Sequence, residues 1–211
     1  FLIIFPIFKE FIVKFLCSIL RRYDINHHLD EVMKVVEQER PRLIINFAAQ
    51  SMVGQSWEHP EDWFRTNAVS TVMLHNRLRQ CDFIDRYVHV TTPEVYGSTE
   101  GFIKEDARFN PSTPYAVSRA AGDMSLKTFV DAYGFPAVST RAANVYGPGQ
   151  QLYRIIPRAI LYVRLNKKLQ LHGGGLSKRS FILTVMATIQ VVRWLSSERS
   201  DRKFGQGQTS G

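Results

Sequence analysis

The sequence predicts an α/β fold built on a parallel sheet with crossover helices, and three observations carry that prediction. Short, continuously apolar runs recur at LIINFAA (Leu43–Ala49), YVHVTT (Tyr87–Thr92) and AVSTRAA (Ala137–Ala143), as expected of strands buried on both faces. Segments of helical periodicity separate them, giving strand, helix, strand, helix, strand. Proline and glycine mark the helix ends at places where their backbone limits suit a start or a stop.

The first twenty residues, FLIIFPIFKEFIVKFLCSIL, approach the apolar length of a membrane span, but Lys9, Glu10 and Lys14 interrupt them and Pro6 sits inside. They lack the basic start and small-residue cleavage site of a signal peptide. Residues 1–23 are therefore expected to be an atypical apolar segment, buried or misassigned, rather than a membrane anchor, followed by a domain over 24–145 and a smaller segment over 146–211. Leu29 to Glu39 reads as an amphipathic helix with Leu29, Val32, Met33 and Val36 on one face, closed by Pro41. Glu61 to Gln80 reads as a second helix. Thr113 is placed to cap a third, with Pro114 at its first position and Gly134 and Pro136 ending it after Tyr133. Ile155 to Asn166 reads as helix and Lys168 to His172 as strand.

Composition narrows the function classes. The 211 residues are 45% hydrophobic and 22% charged, ordinary for a globular protein. Cys17 and Cys81 give neither a disulfide framework nor metal-ligand spacing, which points to a reducing, cytoplasmic setting. The histidines at 27, 28, 59, 75, 89 and 172 are scattered, so no metal site is expected. Arg154 to Lys203 holds eleven Lys and Arg against Glu198 and Asp201, more than accounting for the net +8 of the chain. With no DNA-reading motif or aromatic interleaving, the anionic partner expected is a small-molecule phosphate rather than nucleic acid.

Ligands of a parallel sheet sit beyond the carboxyl ends of its strands, so the residues after Ala49, around Thr92 and around Asn144 are the informative ones. Tyr115 and Arg119 are four apart on the third helix and share a face. A cation held beside a phenol favours phenolate and makes tyrosine a usable base. Thr92 places a hydroxyl at a strand end, and Glu94 offers a carboxylate two residues on. A base, an orienting hydroxyl and a second base thus converge on one edge.

These residues resemble the nucleotide-sugar 4,6-dehydratase branch of the extended short-chain dehydrogenase/reductase family. TTPEVYG (Thr91–Gly97) and PYAVSR (Pro114–Arg119) carry the resemblance, with INFAAQS (Ile45–Ser51), RTNAVST (Arg65–Thr71), RAANVYGPGQ (Arg141–Gln150), RIIP (Arg154–Pro157) and GGGLSKRSFI (Gly173–Ile182) in the same order. The resemblance implies a Rossmann-like, doubly wound parallel sheet that lacks its first βαβ portion, followed by a truncated substrate-binding segment. It implies NAD as cofactor and an NDP-hexose as substrate, dTDP-glucose first, converted to the 4-keto-6-deoxy sugar. Catalytic roles fall on Thr92, Glu94, Tyr115 and Arg119. Cofactor contacts fall on Asp24, Ile25, Ala48, Ala49, Asn67, Tyr115 and Arg119, and substrate contacts on Asn144, Arg154 and Arg179. Asn67 has a second reading, as a side chain that only ties two strands together.

The resemblance also implies a homodimer paired through the helices at Glu61–Gln80 and Thr113–Tyr133. Three departures stand out: Pro93 where many relatives have Asp, Arg119 where they have Lys, and no glycine before Gly54 to form a Gly-rich first turn. An NDP-sugar 4-epimerase or decarboxylase of the same family, or an inactive chain that only binds nucleotide sugar, are the alternatives.

Overall fold

Each apolar run becomes a strand, shorter than the run itself. The computed structural model describes residues 2–5, 21–101, 103–142, 144–171, 175 and 180–184. Four strands form one sheet in the order β1 (Leu2–Phe5), β2 (Leu43–Asn46), β3 (Arg86–Val90) and β4 (Ala137–Thr140). Strands β2, β3 and β4 are parallel, with Ile44 opposite Tyr87 and Tyr87 opposite Ala137. The parallel sheet with its crossover helices is the Rossmann-like α/β fold expected. Leu2–Phe5, inside the atypical segment, runs antiparallel to β2 with Leu2 opposite Asn46, an edge that hydropathy alone did not assign. Among the described residues no helix is long and apolar enough to cross a membrane.

Helix α1 (Leu29–Glu39) begins and ends at the expected residues and buries Val32, Met33 and Val36. These pack with Leu74, Leu78, Leu126 and Phe135 against the strand residues Ile44, Tyr87 and Ala137. Burying side chains of this size removes each from water at about 1.5–3 kcal/mol. The LIINFAA run leaves the sheet at Asn46 because the Asn46 Oδ1 accepts the Ala48 N–H at 2.8 Å, turning the chain away.

The expected helix Glu61–Gln80 is three pieces: α2 (Pro60–Phe64), a π-helical stretch (Arg65–Ser70) and α3 (Thr71–Leu78). The Thr71 hydroxyl donates to the carbonyl of Thr66 at 2.9 Å, satisfying a backbone group that the wider turn displaces. Helix α4 (Pro114–Tyr133) is capped as the sequence indicates: Thr113 Oγ1 accepts the Ala116 N–H at 3.1 Å, and Gly134 ends it at φ 64°. Gly122 is required in this helix, since a Cβ there would lie 2.7 Å from the Asn67 carbonyl oxygen.

The chain divides into two compact units, residues 1–142 and 143–211. The second holds β5 (Asn144–Tyr146), α5 (Ile155–Arg164) and β6 (Phe181–Leu183), with β5 and β6 parallel. The strand expected at Lys168–His172 is not there: residues 168–171 carry no regular structure, and His172 lies outside the described residues. The partner of β5 is set instead by Ser180, whose carbonyl accepts both the Asn144 N–H at 3.3 Å and its side-chain amide at 3.0 Å.

Thr113→Ala should remove the α4 cap and lower unfolding free energy by about 1 kcal/mol. The check is urea denaturation, where the midpoint should fall with the slope unchanged.

Candidate functional site

The carboxyl ends of β2, β3 and β4 deliver Ala48 and Ala49, then Thr92 and Glu94, then Arg141 to one edge of the sheet. Beyond β2, Ala48 is half-buried and Ala49 exposed, after an exposed Phe47, so at 48 and 49 the chain offers only backbone and methyl groups. Beyond β3, Thr92 caps a 3-10 turn (Pro93–Tyr96), its Oγ1 accepting the Glu94 N–H at 3.3 Å. Pro93 stands at the first position of that turn, where a backbone N–H would have no internal partner, so the ring is accommodated without loss. What Pro93 cannot supply is a proton. Gly97 ends the turn at φ 73°, and a Cβ there would fall 2.1 Å from the Asn110 carbonyl oxygen, a conformation and a contact that only glycine meets.

Helix α4 brings Tyr115 and Arg119 to the same region from below. Tyr115 is half-buried near the helix start, its N–H donating to Ser56 Oγ at 3.2 Å. Arg119 is 3% exposed. Its Nη2 donates to the Val90 carbonyl, while Nε and Nη1 have no protein partner. Burial lowers its pKa, and the neighbouring Tyr115, Asp123 and Tyr87 work against that shift. The guanidinium therefore stands behind Tyr115 within the fold, close enough to be coupled to the phenol electrostatically. A cation in that place stabilises phenolate, and one of its nitrogens, Nη2, is engaged by the β3 carbonyl.

Asn67 is buried in the π-helical stretch. Its Oδ1 accepts the Gln50 N–H at 2.8 Å and its Nδ2 donates to the Gln50 carbonyl at 2.9 Å and to Ser118 Oγ at 3.0 Å. Every polar atom of the amide is thus engaged by the chain, which makes Asn67 a tie between the loop after β2 and helix α4. Ile25 is buried at 6% exposure, whereas Asp24 is exposed and its Oδ1 accepts the Asn26 N–H at 2.8 Å. The Asp24–Asn26 turn docks through Asn26, bonded to Thr66 Oγ1 at 3.0 Å and Ser70 Oγ at 2.7 Å. In the second unit Asn144 and Arg154 are exposed. Arg179 lies outside the described residues.

A polar layer beneath the edge was not read from sequence. Tyr87 is wholly buried, its hydroxyl accepting from Asn46 Nδ2 and meeting His75 Nε2, both at 2.9 Å. The His75 and His89 rings meet edge to face, centroids 5.1 Å apart. Burial, then the Arg119 charge, pushes His75 down to about 3. Burial and the nearby His75, Arg119 and Arg141 hold His89 well below its ordinary value, so its 3.7 Å approach to Asp123 is not an ion pair. Burial raises Asp123, while Arg141 and Arg119 draw it back. The available signal was His89 and Tyr87 alternating on one strand face with Asp123 one turn after Arg119. Nothing in one-dimensional spacing says that those faces meet.

Comparison with known proteins gives concordant matches. The family model described as GDP-mannose 4,6-dehydratase matches residues 18–209. The dTDP-D-glucose 4,6-dehydratase of Mus musculus is 34% identical over 152 residues, covering 72% of this chain and 42% of that protein. A dTDP-glucose 4,6-dehydratase from Streptomyces venezuelae, solved with NAD, superposes at a TM-score of 0.74 with 29% identity, covering 83% of this chain and 53% of its own. Its Bacillus anthracis counterpart, also with NAD, gives 0.71 with 30% identity, 81% and 53% covered. The chain spans about two fifths of the length of the curated relatives it matches.

His75 and His89 stay neutral in the fold, so as pH falls below about 6.5 the unfolded chain binds protons that the native state refuses. Stability should therefore decline on acidification from pH 6.5 toward 5, each histidine contributing a slope of up to about 1.4 kcal/mol per pH unit. Asp123, raised, contributes the opposite slope nearer its ordinary value of 3.8. Denaturant midpoints between pH 7 and pH 5 should fall less steeply in His75→Gln than in the unaltered chain; equal slopes would contradict this burial of a neutral His75.

Proposed function

This chain belongs to the GDP-mannose 4,6-dehydratase family, and from that premise we propose that it serves an NAD-dependent nucleotide-sugar 4,6-dehydratase, acting on dTDP-glucose to give the 4-keto-6-deoxy sugar. The observation that carries the reading is the pairing of Tyr115 with the buried Arg119 cation on α4, beneath the turn that presents Thr92 and Glu94. Residues 24–145 would form the cofactor domain and 146–211 part of the substrate-binding segment, with Asn144, Arg154 and Arg179 as the proposed substrate contacts.

The open edge after β2 suits NAD: Ala48 and Ala49 present little more than backbone, and the exposed Asp24 lies in the turn before α1. Ala48, Ala49 and Asp24 would hold it, with Asn67 and Ile25 shaping the wall behind. When bound, NAD would supply a hydride acceptor beside the sugar C4 and a hydride donor for C6. Tyr115, as phenolate favoured by Arg119, takes the proton of the 4-hydroxyl, while the Thr92 hydroxyl donates to the same oxygen. The 4-ketone acidifies the C5 hydrogen, which Glu94 removes. Many relatives place an acid where Pro93 stands, and proline has no proton to give. Glu94, having taken the C5 proton, would then hand it to the departing 6-hydroxyl so that water leaves. When hydride reaches C6, C5 would take up a proton from solvent, and Tyr115 would release the 4-hydroxyl proton to solvent, which closes the proton count.

The dimer belongs to this reading. Phe64, Val69 and Met73 along α2–α3 and Val117 and Met124 on α4 are all exposed, an apolar surface on the two elements through which a second copy would pair. The enzyme proposed is cytoplasmic, with a nucleotide sugar and its own copy as partners rather than nucleic acid.

Calorimetry of NAD binding to the 211-residue chain is the first test; binding is expected, and a folded chain without binding would overturn the cofactor assignment. In a turnover assay Glu94→Gln should lower 4-keto-6-deoxy product formation by about 10²–10⁴-fold, the range of general acid–base catalysis. Full turnover in that variant would remove Glu94 from the mechanism. Met73→Glu with Met124→Glu should shift sedimentation to the monomer.

A further inference from the structure

Helix α4 carries Tyr115, Arg119 and Asp123 at four-residue intervals, so the face that presents the proposed base continues into the fold as a buried cation and then a buried carboxylate. The Asp123 side chain has no exposed surface, and its Oδ2 receives Arg141 Nη2 at 3.1 Å. Arg141 follows β4 directly. Its guanidinium carbon lies 5.4 Å from the ring centre of Tyr96 and 5.1 Å from that of Phe109, and the two rings meet edge to face at 5.5 Å. Tyr96 is the last residue of the turn that bears Glu94. Phe109 lies in the following loop, which is fastened to the turn by Asn110 N–H donating to the Val95 carbonyl at 2.9 Å and by the Tyr96 hydroxyl donating to the Glu105 carbonyl at 3.0 Å.

We propose that Asp123 and Arg141 are positioning residues, a buried carboxylate and a half-buried cation that together tie the turn holding Glu94 to the helix holding Tyr115 and so fix the two proton-handling groups relative to one another. The proposal rests on the assignment of those two residues to the site, while its test reads order and not turnover. Ion pairs taken out of water contribute little net stability over apolar replacements, but this one joins α4 to the residue after β4, as no other described ion pair does, and Arg141 carries the link on to the turn by lying over the Tyr96 ring. An arginine suits the place because its planar cation stacks on aromatic rings while forking to a carboxylate.

The experiment is hydrogen exchange, resolved by peptide, on the 211-residue chain and its variants. Arg141→Met and Asp123→Asn should each speed exchange of amides in 92–98 and 103–110 by about tenfold, while α1 keeps its protection. Arg141→Lys, which keeps the cation, should recover most of the protection. The double variant should open no further than the faster single one, as coupled residues do. Tyr96→Leu, which leaves the ion pair intact, should loosen 103–110 in the same way and serves if Arg141→Met does not fold. Unchanged exchange in 92–98, an Arg141→Lys chain as loose as Arg141→Met, or loosening spread equally over α1 and β3 would each overturn the proposal. A chain that fails to bind NAD or to turn over would remove the function reading and leave these exchange outcomes as they stand.

Discussion

A guanidinium held almost wholly inside a protein must find acceptors and countercharge there, or its desolvation costs several kcal/mol. Arg119 meets that demand unevenly. It donates to the Val90 carbonyl at the end of β3, has Asp123 one helical turn away, and leaves two nitrogens without a protein partner. Much of the surrounding chemistry follows from this one charge. The imidazoles of His75 and His89 are kept neutral, both by burial and by a cation they cannot afford to join. Asp123, pulled up by burial, is drawn back toward ionisation by Arg119 and Arg141. Tyr115, at the open end of the same helix face, is the phenol on which the cation acts.

Such a layer needs elements that cannot drift. The π-helical stretch, the Asn67 amide and Gly122 together supply a close contact between the α2–α3 segment and α4. Asn67 fastens the loop after β2 to Ser118, and the absence of a side chain at Gly122 lets the helix approach the Asn67 carbonyl. The widened turn is thus the means by which one asparagine reaches two elements at once, consistent with the tendency of π-bulges to occur beside functional sites. On the other side Gly97 and Asn110 close the turn that holds Glu94.

The departures from the family pattern look less arbitrary in three dimensions. Pro93 occupies the one position of its turn at which the lost N–H has no internal use, so the backbone is undisturbed even though a proton source is gone. Arg119 is longer than lysine and turns inward to a carbonyl. Its charge stays beside the phenol while its Nη2 is bonded to the sheet.

The sequence by itself determined the alternation of strands and helices, the caps of α4, both limits of α1, and the identity of the residues at the strand ends, because each of these depends on local propensity and on periodicity that neighbours in the chain express directly. That Thr92 and Glu94 follow a strand end and that Tyr115 and Arg119 share a face of one helix was legible for the same reason. Tertiary structure alone decided that Leu2–Phe5 pairs antiparallel with β2, that Phe181–Leu183 rather than Lys168–His172 pairs with β5, and that one predicted helix is three pieces. It alone brought Tyr87, His75, His89, Asp123 and Arg141 into one buried layer. Those outcomes turn on which faces and edges meet across the fold, and contacts between residues tens of positions apart leave no periodic trace in the chain that makes them.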